Sequence, residues 1–359
     1  LAAPELSSAI PHPYWAATHL SWPSQCPSLP SVHPLWPAAL ARIGSPAEAL
    51  LSLTVGSIAK FEFQNSLARV NQISPFSKIG PGTDGGMKPE LVTHGGNILG
   101  PYNLTPFQRI ATCGLHSDGI SLTYDNGTSF SAPIISRYAQ MLFDYYPFAK
   151  TNLVKALLIH FAEIREIHDE IEFDYKYTGF GEPNVNRAIY ANQSAAFIYQ
   201  GSLDTENYDY LKFHIPQKFI TEIESSKLKI RITVVYNPSV DVNNFTEYSK
   251  TRLSVKLIKN SDLGEREVSL SNPITYYRQW SPIMQFEKSF SRNYLDGEWF
   301  VGIRLYTRGV LEDNYTQDYA TIIEVIDENG NINSYDEIKN AYGEIYNTYE
   351  NEKSDINYA

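Results

Sequence analysis

The residues Gly127-Thr128-Ser129-Phe130-Ser131-Ala132-Pro133 put a serine hydroxyl directly ahead of an apolar, helix-compatible run from Ile134 to Tyr145. This places Ser129 at a helix N-terminus, where the first backbone N–H groups have no intrahelical acceptor and the helix dipole is positive. Such a position suits acyl transfer: the hydroxyl attacks a carbonyl, and the N–H groups stabilise the oxyanion that develops. Gly127 permits close backbone approach. Pro133 is expected within the first helical turn, where its missing N–H removes no intrahelical bond. A plainer reading makes Asn126 to Ser131 a polar loop capping a buried helix, since serine and threonine are common N-caps. A G-x-S-x-G nucleophile elbow is excluded because position 131 is serine.

The elements that must position this serine follow a definite order. Leu51 to Ile58 (LSLTVGSI) reads as a buried strand ending in a turn, followed by Ser74-Pro75-Phe76-Ser77, Gly80-Pro81, Lys88-Pro89-Glu90-Leu91-Val92 and Gly95-Gly96-Asn97. Beyond the serine, Asn152 to Ala162 (NLVKALLIHFA) reads as a second apolar helix, and Thr178 to Asn184 (TGFGEPN) as a closing segment. Over about residues 47–190 this sequence resembles the subtilisin-like serine peptidases, the subtilases. GTSFSAP is similar to their nucleophile segment, and the flanking motifs to the family's V-G-A, S-F-S, G-P, K-P-D, P-G-G and G-Y-G-x-P-N runs.

The resemblance implies a serine endopeptidase. Ser129 Oγ would attack a peptide carbonyl after a histidine, oriented by an aspartate, takes its proton, and water would then hydrolyse the acyl-enzyme. The backbone N–H of Ser129, with the Thr128 hydroxyl as support, would contact the oxyanion. Subtilases bring the aspartate and histidine ahead of the serine, with an oxyanion asparagine between histidine and serine. No D-[ST]-G or H-G-T-H motif occurs here. His12, His19 and His33 sit in Pro- and Trp-rich sequence. His94 stands where the family's P-G-G segment has its proline and reads as a loop histidine supporting a turn. His160 falls in the second apolar helix, as a core or interface residue. His116 and Asp118 form a polar pair in a long insertion between Pro101 and Tyr124, expected to be a flexible loop shaping the cleft. The chain by itself is therefore expected to be inactive, since losing triad members costs several orders of magnitude in rate.

Residues 1–43 differ from all that follows. Eight prolines (Pro4, Pro11, Pro13, Pro23, Pro27, Pro30, Pro34, Pro37) and three tryptophans (Trp15, Trp22, Trp36) fall there, and no Lys precedes Lys60, no Asn Asn65 and no Asp Asp84. A Pro-rich linker is one account. The preferred one is non-native, out-of-frame sequence joined to a subtilase at about Ile43, in the place where the missing motifs belong.

After about Tyr190 the period changes from helix to strand. Leu211, Phe213 and Ile215, then Leu228, Ile230, Ile232 and Val234, then Leu253, Val255 and Leu257 alternate with polar residues. Trp299 to Tyr306 and Tyr319 to Ile326 read as further strands, giving an antiparallel β-sandwich. The tail from Asn331 to Ala359 is acidic and Tyr-rich, with a helix expected near Tyr335 to Tyr346. The fold class is thus α/β: an incomplete subtilisin-like parallel-sheet core at 44–192, a β-sandwich at 193–330 and a tail at 331–359. A sheet deprived of its first strands would expose apolar edges and lower solubility.

Composition narrows the partners. With 43% hydrophobic residues the chain can bury a substantial core, and its formal charge of −11 argues against nucleic acid, which demands clustered Lys and Arg. The expected partner is a protein or peptide substrate, and the resemblance leaves an adjacent ATPase open. Cys26 and Cys113 read as free thiols, too few for a disulfide framework. No apolar run is long enough to span a bilayer. No cofactor or metal is expected, there being no D-x-[DN]-x-[DN]-G run. The sequons at Asn103 and Asn126 argue against a glycosylating secretory route and fit a bacterial source, with the cytoplasm favoured. A second functional reading keeps the scaffold and drops the chemistry: a non-catalytic subtilase-like binding or assembly module.

Overall fold

A computed structural model of the chain describes residues 42–63, 66–99, 109–110, 112–115, 117–164, 175–190, 193–221, 226–244, 247–261, 264–272, 280–290 and 297–343. Residues 1–41 of the aberrant segment, with His12, His19, His33 and Cys26, and also Asn103 and His116, lie outside the described residues.

The first part is built on one parallel pair, β1 (Val55–Ile58) and β2 (Leu91–His94), in the register Val55↔Leu91 to Ile58↔His94. Strands β3 (Asn97–Ile98) and β4 (Arg109–Ile110) pair next, and β5 (Thr112–Leu115) and β6 (Leu122–Asp125) form a hairpin. The expected flexible loop from Pro101 to Tyr124 is therefore corrected over its second half. Asp118 Oδ1 accepts the N–H groups of Ile120 and Ser121 at 2.9 and 2.8 Å, and Gly119 takes φ +71°, so Asp118-Gly119 supplies a turn.

Two helices follow, α1 (Thr128–Tyr145) and α2 (Thr151–His160). On α1 the buried residues Ser131, Ile135, Ala139 and Leu142 fall at helical spacing and form the stripe that faces β1 and β2. Pro133 is the sixth residue of α1, so the first-turn placement is also corrected. Its missing N–H would have reached the carbonyl of Ser129. In α2 every residue from Asn152 to His160 is buried, which no helix with one solvent face can do. Short elements complete this part: β7 (Ala162–Glu163), α3 (Tyr175–Thr178), β8 (Glu182–Pro183) and α4 (Val185–Ile189).

From Ala195 the chain is antiparallel. Strands β9 (Ala195–Leu203), β10 (Tyr208–Phe213), β11 (Leu228–Tyr236), β12 (Thr251–Ser261), β13 (Gly264–Val268), β14 (Ile283–Ser289), β15 (Glu298–Thr307) and β16 (Gln317–Asp327) make two four-stranded sheets, ordered β14-β11-β16-β9 and β10-β15-β12-β13. The short helix α5 (Lys218–Thr221) precedes β11, and α6 (Ser334–Tyr342) lies where a helix was expected near Tyr335 to Tyr346, of which 344–346 fall outside the described residues. The sheets face one another across a core that includes Phe213, Ile230, Leu257, Trp299 and Ile303, each fully or almost fully buried. Each such side chain contributes roughly 1.5–3 kcal/mol.

The opposite face of the β14-β11-β16-β9 sheet explains the burial of α2. Val235, Ile283, Ala320 and Ile322 point away from the strand core and pack in one cluster with Leu153, Leu157 and Leu158 of α2. The parallel pair, the helices and the two sheets thus form successive layers, with α2 in the interior.

Candidate active site

The site begins at the C-terminal ends of β1 and β2. Beyond His94 the chain turns through Gly95 and Gly96 to Asn97, whose fully buried amide holds neighbouring loops. Its Nδ2 donates to Phe61 O and Ala68 O at 3.1 and 2.7 Å, while its Oδ1 accepts from Ala68 N and Ile98 N. The Asn97 carbonyl accepts Asn126 Nδ2 at 2.8 Å, and Gly127 N donates to Gly95 O at 2.8 Å. These bonds clamp the serine segment onto the end of β2.

Gly127 is the N-cap of α1 at φ 155° and offers no side-chain cap. The helix therefore starts without using Thr128, Ser129 or Ser131 as its cap, which removes the capping account of these residues. Ser129 is the second residue of the helix and is exposed; Thr128, the first, is half-buried. Ser131 is fully buried, and its Oγ donates to Thr93 O at 3.0 Å. Its role is to bind α1 to β2.

A chain of hydroxyls beneath the serine segment was not legible as a unit. Ser57 Oγ lies 2.7 Å from Ser74 Oγ, which donates to Gly96 O at 2.6 Å, and Ser77 Oγ accepts Ser57 N at 2.9 Å. The S-P-F-S run is thus the floor of the 95–97 turn. The only available signal was its spacing in the family-like order.

The K-P-E-L run is a buried ionic knot. Lys88 Nζ lies 2.5 Å from Glu90 Oε1 and donates to Ser52 O at 2.6 Å, while Glu90 Oε2 accepts Thr54 N at 2.7 Å. From α2, Lys155 Nζ donates to Leu51 O at 3.4 Å. Burial pushes the Lys155 amine down to about 8, against the raising effect of Glu90.

Two histidines among the described residues have partners outside the serine segment. His94 Nε2 lies 3.4 Å from Glu182 Oε1, which also accepts Thr93 Oγ1 at 2.8 Å, so His94 braces the 178–183 turn. His160 is wholly buried between α2 and the sheet behind it. Its Nδ1 lies 2.8 Å from Thr233 Oγ1 and its Nε2 3.2 Å from Glu324 Oε2. A hydroxyl, an imidazole and a carboxylate are thus joined as in a catalytic triad, but all three residues are fully buried, beyond reach of a substrate.

Desolvation lowers the His160 pKa, and neighbouring Arg231 and Arg187 lower it further. The neutral ring then donates from Nε2 to Glu324 and accepts from Thr233 at Nδ1. Burial alone would raise the Glu324 pKa, yet His160, Arg231 and Ser194 together hold it down to about 2. Glu324 Oε1 accepts from Arg187 Nη2 at 3.0 Å and from Ser194 Oγ at 2.5 Å.

Among the described residues no cluster of three or more His, Cys, Asp or Glu could hold a metal, and no helix is long and apolar enough to cross a membrane.

Residues 37–192 match the model of the subtilase family. The uncharacterized protein y4bN of Sinorhizobium fredii (strain NBRC 101917 / NGR234) is 28% identical over 246 residues, covering 62% of this chain and 56% of that protein. The chain thus spans little more than half the length of this relative. The crystal structure of the infectious bursal disease virus VP2 subviral particle is similar at a TM-score of 0.23 and 12% identity, over 40% of this chain and 35% of that one; likeness at this level carries no argument.

Proposed function

We propose that Ser129 is the nucleophile of a serine endopeptidase, a reading supported by the match of residues 37–192 to the subtilase-family model, which points to a serine-peptidase-like function at the family level. One observation carries this reading. Ser129 stands exposed at the second position of α1, inside GTSFSAP, on a segment clamped to the ends of two parallel strands. In the proposed reaction Ser129 Oγ attacks the scissile carbonyl and the amine leaves as an acyl-enzyme forms, which water then hydrolyses. The N–H of Ser129 and the Thr128 hydroxyl support the oxyanion. His94 and His160 are not assigned as the base, because each braces another part of the fold.

The chain alone is therefore expected to turn over casein negligibly. A fluorophosphonate probe is expected to react slowly, with the label mapping to the peptide containing Ser129 and disappearing in Ser129→Ala. Label that persists in Ser129→Ala refutes the assignment, and casein turnover at rates typical of the family refutes the expected inactivity.

A binding or assembly role is the second reading. It is favoured by the way α2 is shared between the serine-bearing layer and the double sheet, a packing that serves a scaffold as well as an enzyme.

A further inference from the structure

The outward face of the β10-β15-β12-β13 sheet carries a ladder of alternating aromatic rings and guanidinium groups. Arg304 lies over Tyr208 at 4.6 Å and over Tyr306 at 5.1 Å. Arg252 continues it, over Tyr306 at 5.1 Å and Trp280 at 5.6 Å, and Arg308 closes it over Trp280 at 3.9 Å. Strand register produces this order, since Tyr208 pairs with Arg304 across β10 and β15, and Arg252 with Tyr306 across β12 and β15. The buried partners of the same strands, Val301, Ile303 and Leu305, face the core, so the ladder faces outward.

Charge is distributed unevenly over this face. At its margins the cations are satisfied: Lys212 by Glu298, Lys256 by Glu267 at 2.6 Å, and Arg308 by Glu247 at 3.8 Å. Arg304, near the centre, makes no ion pair among the described residues. Rings lie against its planar faces, leaving in-plane N–H donors as its unused capacity. That geometry fits a carboxylate bound through two parallel hydrogen bonds. Two residues away, Gly302 is buried, and the space above it is filled by Ile258, whose Cδ1 would lie 2.9 Å from an added Cβ. Tyr210, 53% exposed, stands beside it and stacks on Tyr208.

We propose that this face binds an extended polypeptide segment bearing glutamate or aspartate, with a carboxylate on Arg304 and the side chain two positions along against the exposed ring of Tyr210. A strand-like peptide repeats its side chains on one face every second residue, matching the step from Tyr208, beside Arg304, to Tyr210. A sugar polymer fits less well, because one face of Tyr208, Tyr306 and Trp280 is already covered by a guanidinium. A phosphate polymer requires several uncompensated cations, whereas the marginal ones here are neutralised by the chain's own glutamates.

The test uses the full chain carrying Ser129→Ala, so that binding is read independently of the catalytic proposal. Fluorescence anisotropy is measured with a fluorescein-labelled glutamate-rich peptide, its glutamine counterpart and an oligothymidylate, at low and high salt. The expected result is binding of the glutamate peptide that weakens with salt and falls about tenfold in Arg304→Gln, the loss of one bidentate charged contact. Tyr210→Ala, which changes an exposed ring, is expected to weaken it several-fold with the midpoint of thermal unfolding unchanged. Equal binding of the glutamine peptide, or tighter binding of the oligothymidylate, overturns the proposal. So does no binding of any peptide while Arg304→Gln lowers thermal stability, which would make the ladder a structural strut.

Discussion

Gly95 controls how closely the serine segment approaches β2. A Cβ at this position would lie 2.4 Å from Ser57 Oγ, 2.5 Å from Ser131 Oγ and 2.6 Å from the backbone oxygen of Gly127. The hydroxyls could rotate aside, but the Gly127 carbonyl belongs to the backbone that starts α1. Gly95→Ala is therefore expected to lower stability by about 1–3 kcal/mol, as overpacking does. It should also abolish fluorophosphonate labelling of Ser129, because the N-terminus of α1 must move. Denaturant midpoints and labelling of the same sample check both. Normal labelling in a destabilised variant would separate the fit at Gly95 from the placement of the serine.

At the scale of elements, α2 combines apolar burial with a buried amine. The folded state holds Lys155 at about 8, below the ordinary 10.5. Between those values the unfolded chain binds a proton that the folded chain does not, so this group makes stability rise with pH from about 8 to about 10.5. The full effect is about 3 kcal/mol. Lys155→Met should remove that slope while Glu90 keeps Lys88 as its partner at 2.5 Å. Urea unfolding of both proteins across the alkaline range measures the difference, and parallel slopes would exclude Lys155 as its source.

Strands β10, β11 and β12 could be read from their alternation, and helices α1 and α2 and strands β15 and β16 from apolar runs. Where one sheet is covered on both faces the pattern blurs. In β16, Tyr319, Ile323 and Val325 face the strand core while Ala320 and Ile322 face α2, leaving no polar alternation. In β9, Ile198 similarly packs toward the helices while Phe197 faces the strands. The β5–β6 hairpin was read as a loop although Asp118-Gly119 is a turn pair, since its flanking residues alternate weakly. The helix start that carries Ser129 was legible from seven consecutive residues. The hydroxyl floor and the Lys88–Glu90–Lys155 knot were not, because their members join only in three dimensions.

For the whole molecule, Glu324 is the joint between layers. It comes from β16 yet binds His160 of α2, Arg187 of α4 and Ser194 ahead of β9. Its carboxylate, held at about 2, contributes stability that is present above about pH 4.5 and lost as pH falls toward 2. His160, whose folded pKa is lowered, adds a loss that begins below about pH 6.5, where the unfolded chain takes up the proton first. Glu324→Gln leaves Arg187 and Arg231, each half-buried and still paired with Glu163 and Glu287, facing a neutral amide. It should cost about 1–3 kcal/mol at pH 7, and the acid limb below pH 4.5 should flatten. Chemical denaturation at pH 7 and pH 3 reads both effects, and an unchanged acid limb would show that other carboxylates dominate it.

The interior place of α2 also has a consequence in time. The helix is complete at His160, but the strand that covers it on one side, β16, begins only at Gln317. At translation speeds of roughly 5–20 residues per second, its apolar surface waits on the order of 10–30 s on the ribosome for its cover. During that interval the segment from Asn152 to Ile159 is an exposed greasy ligand for holdase chaperones. Expression yield of this chain should therefore depend on how quickly the last strands are synthesised.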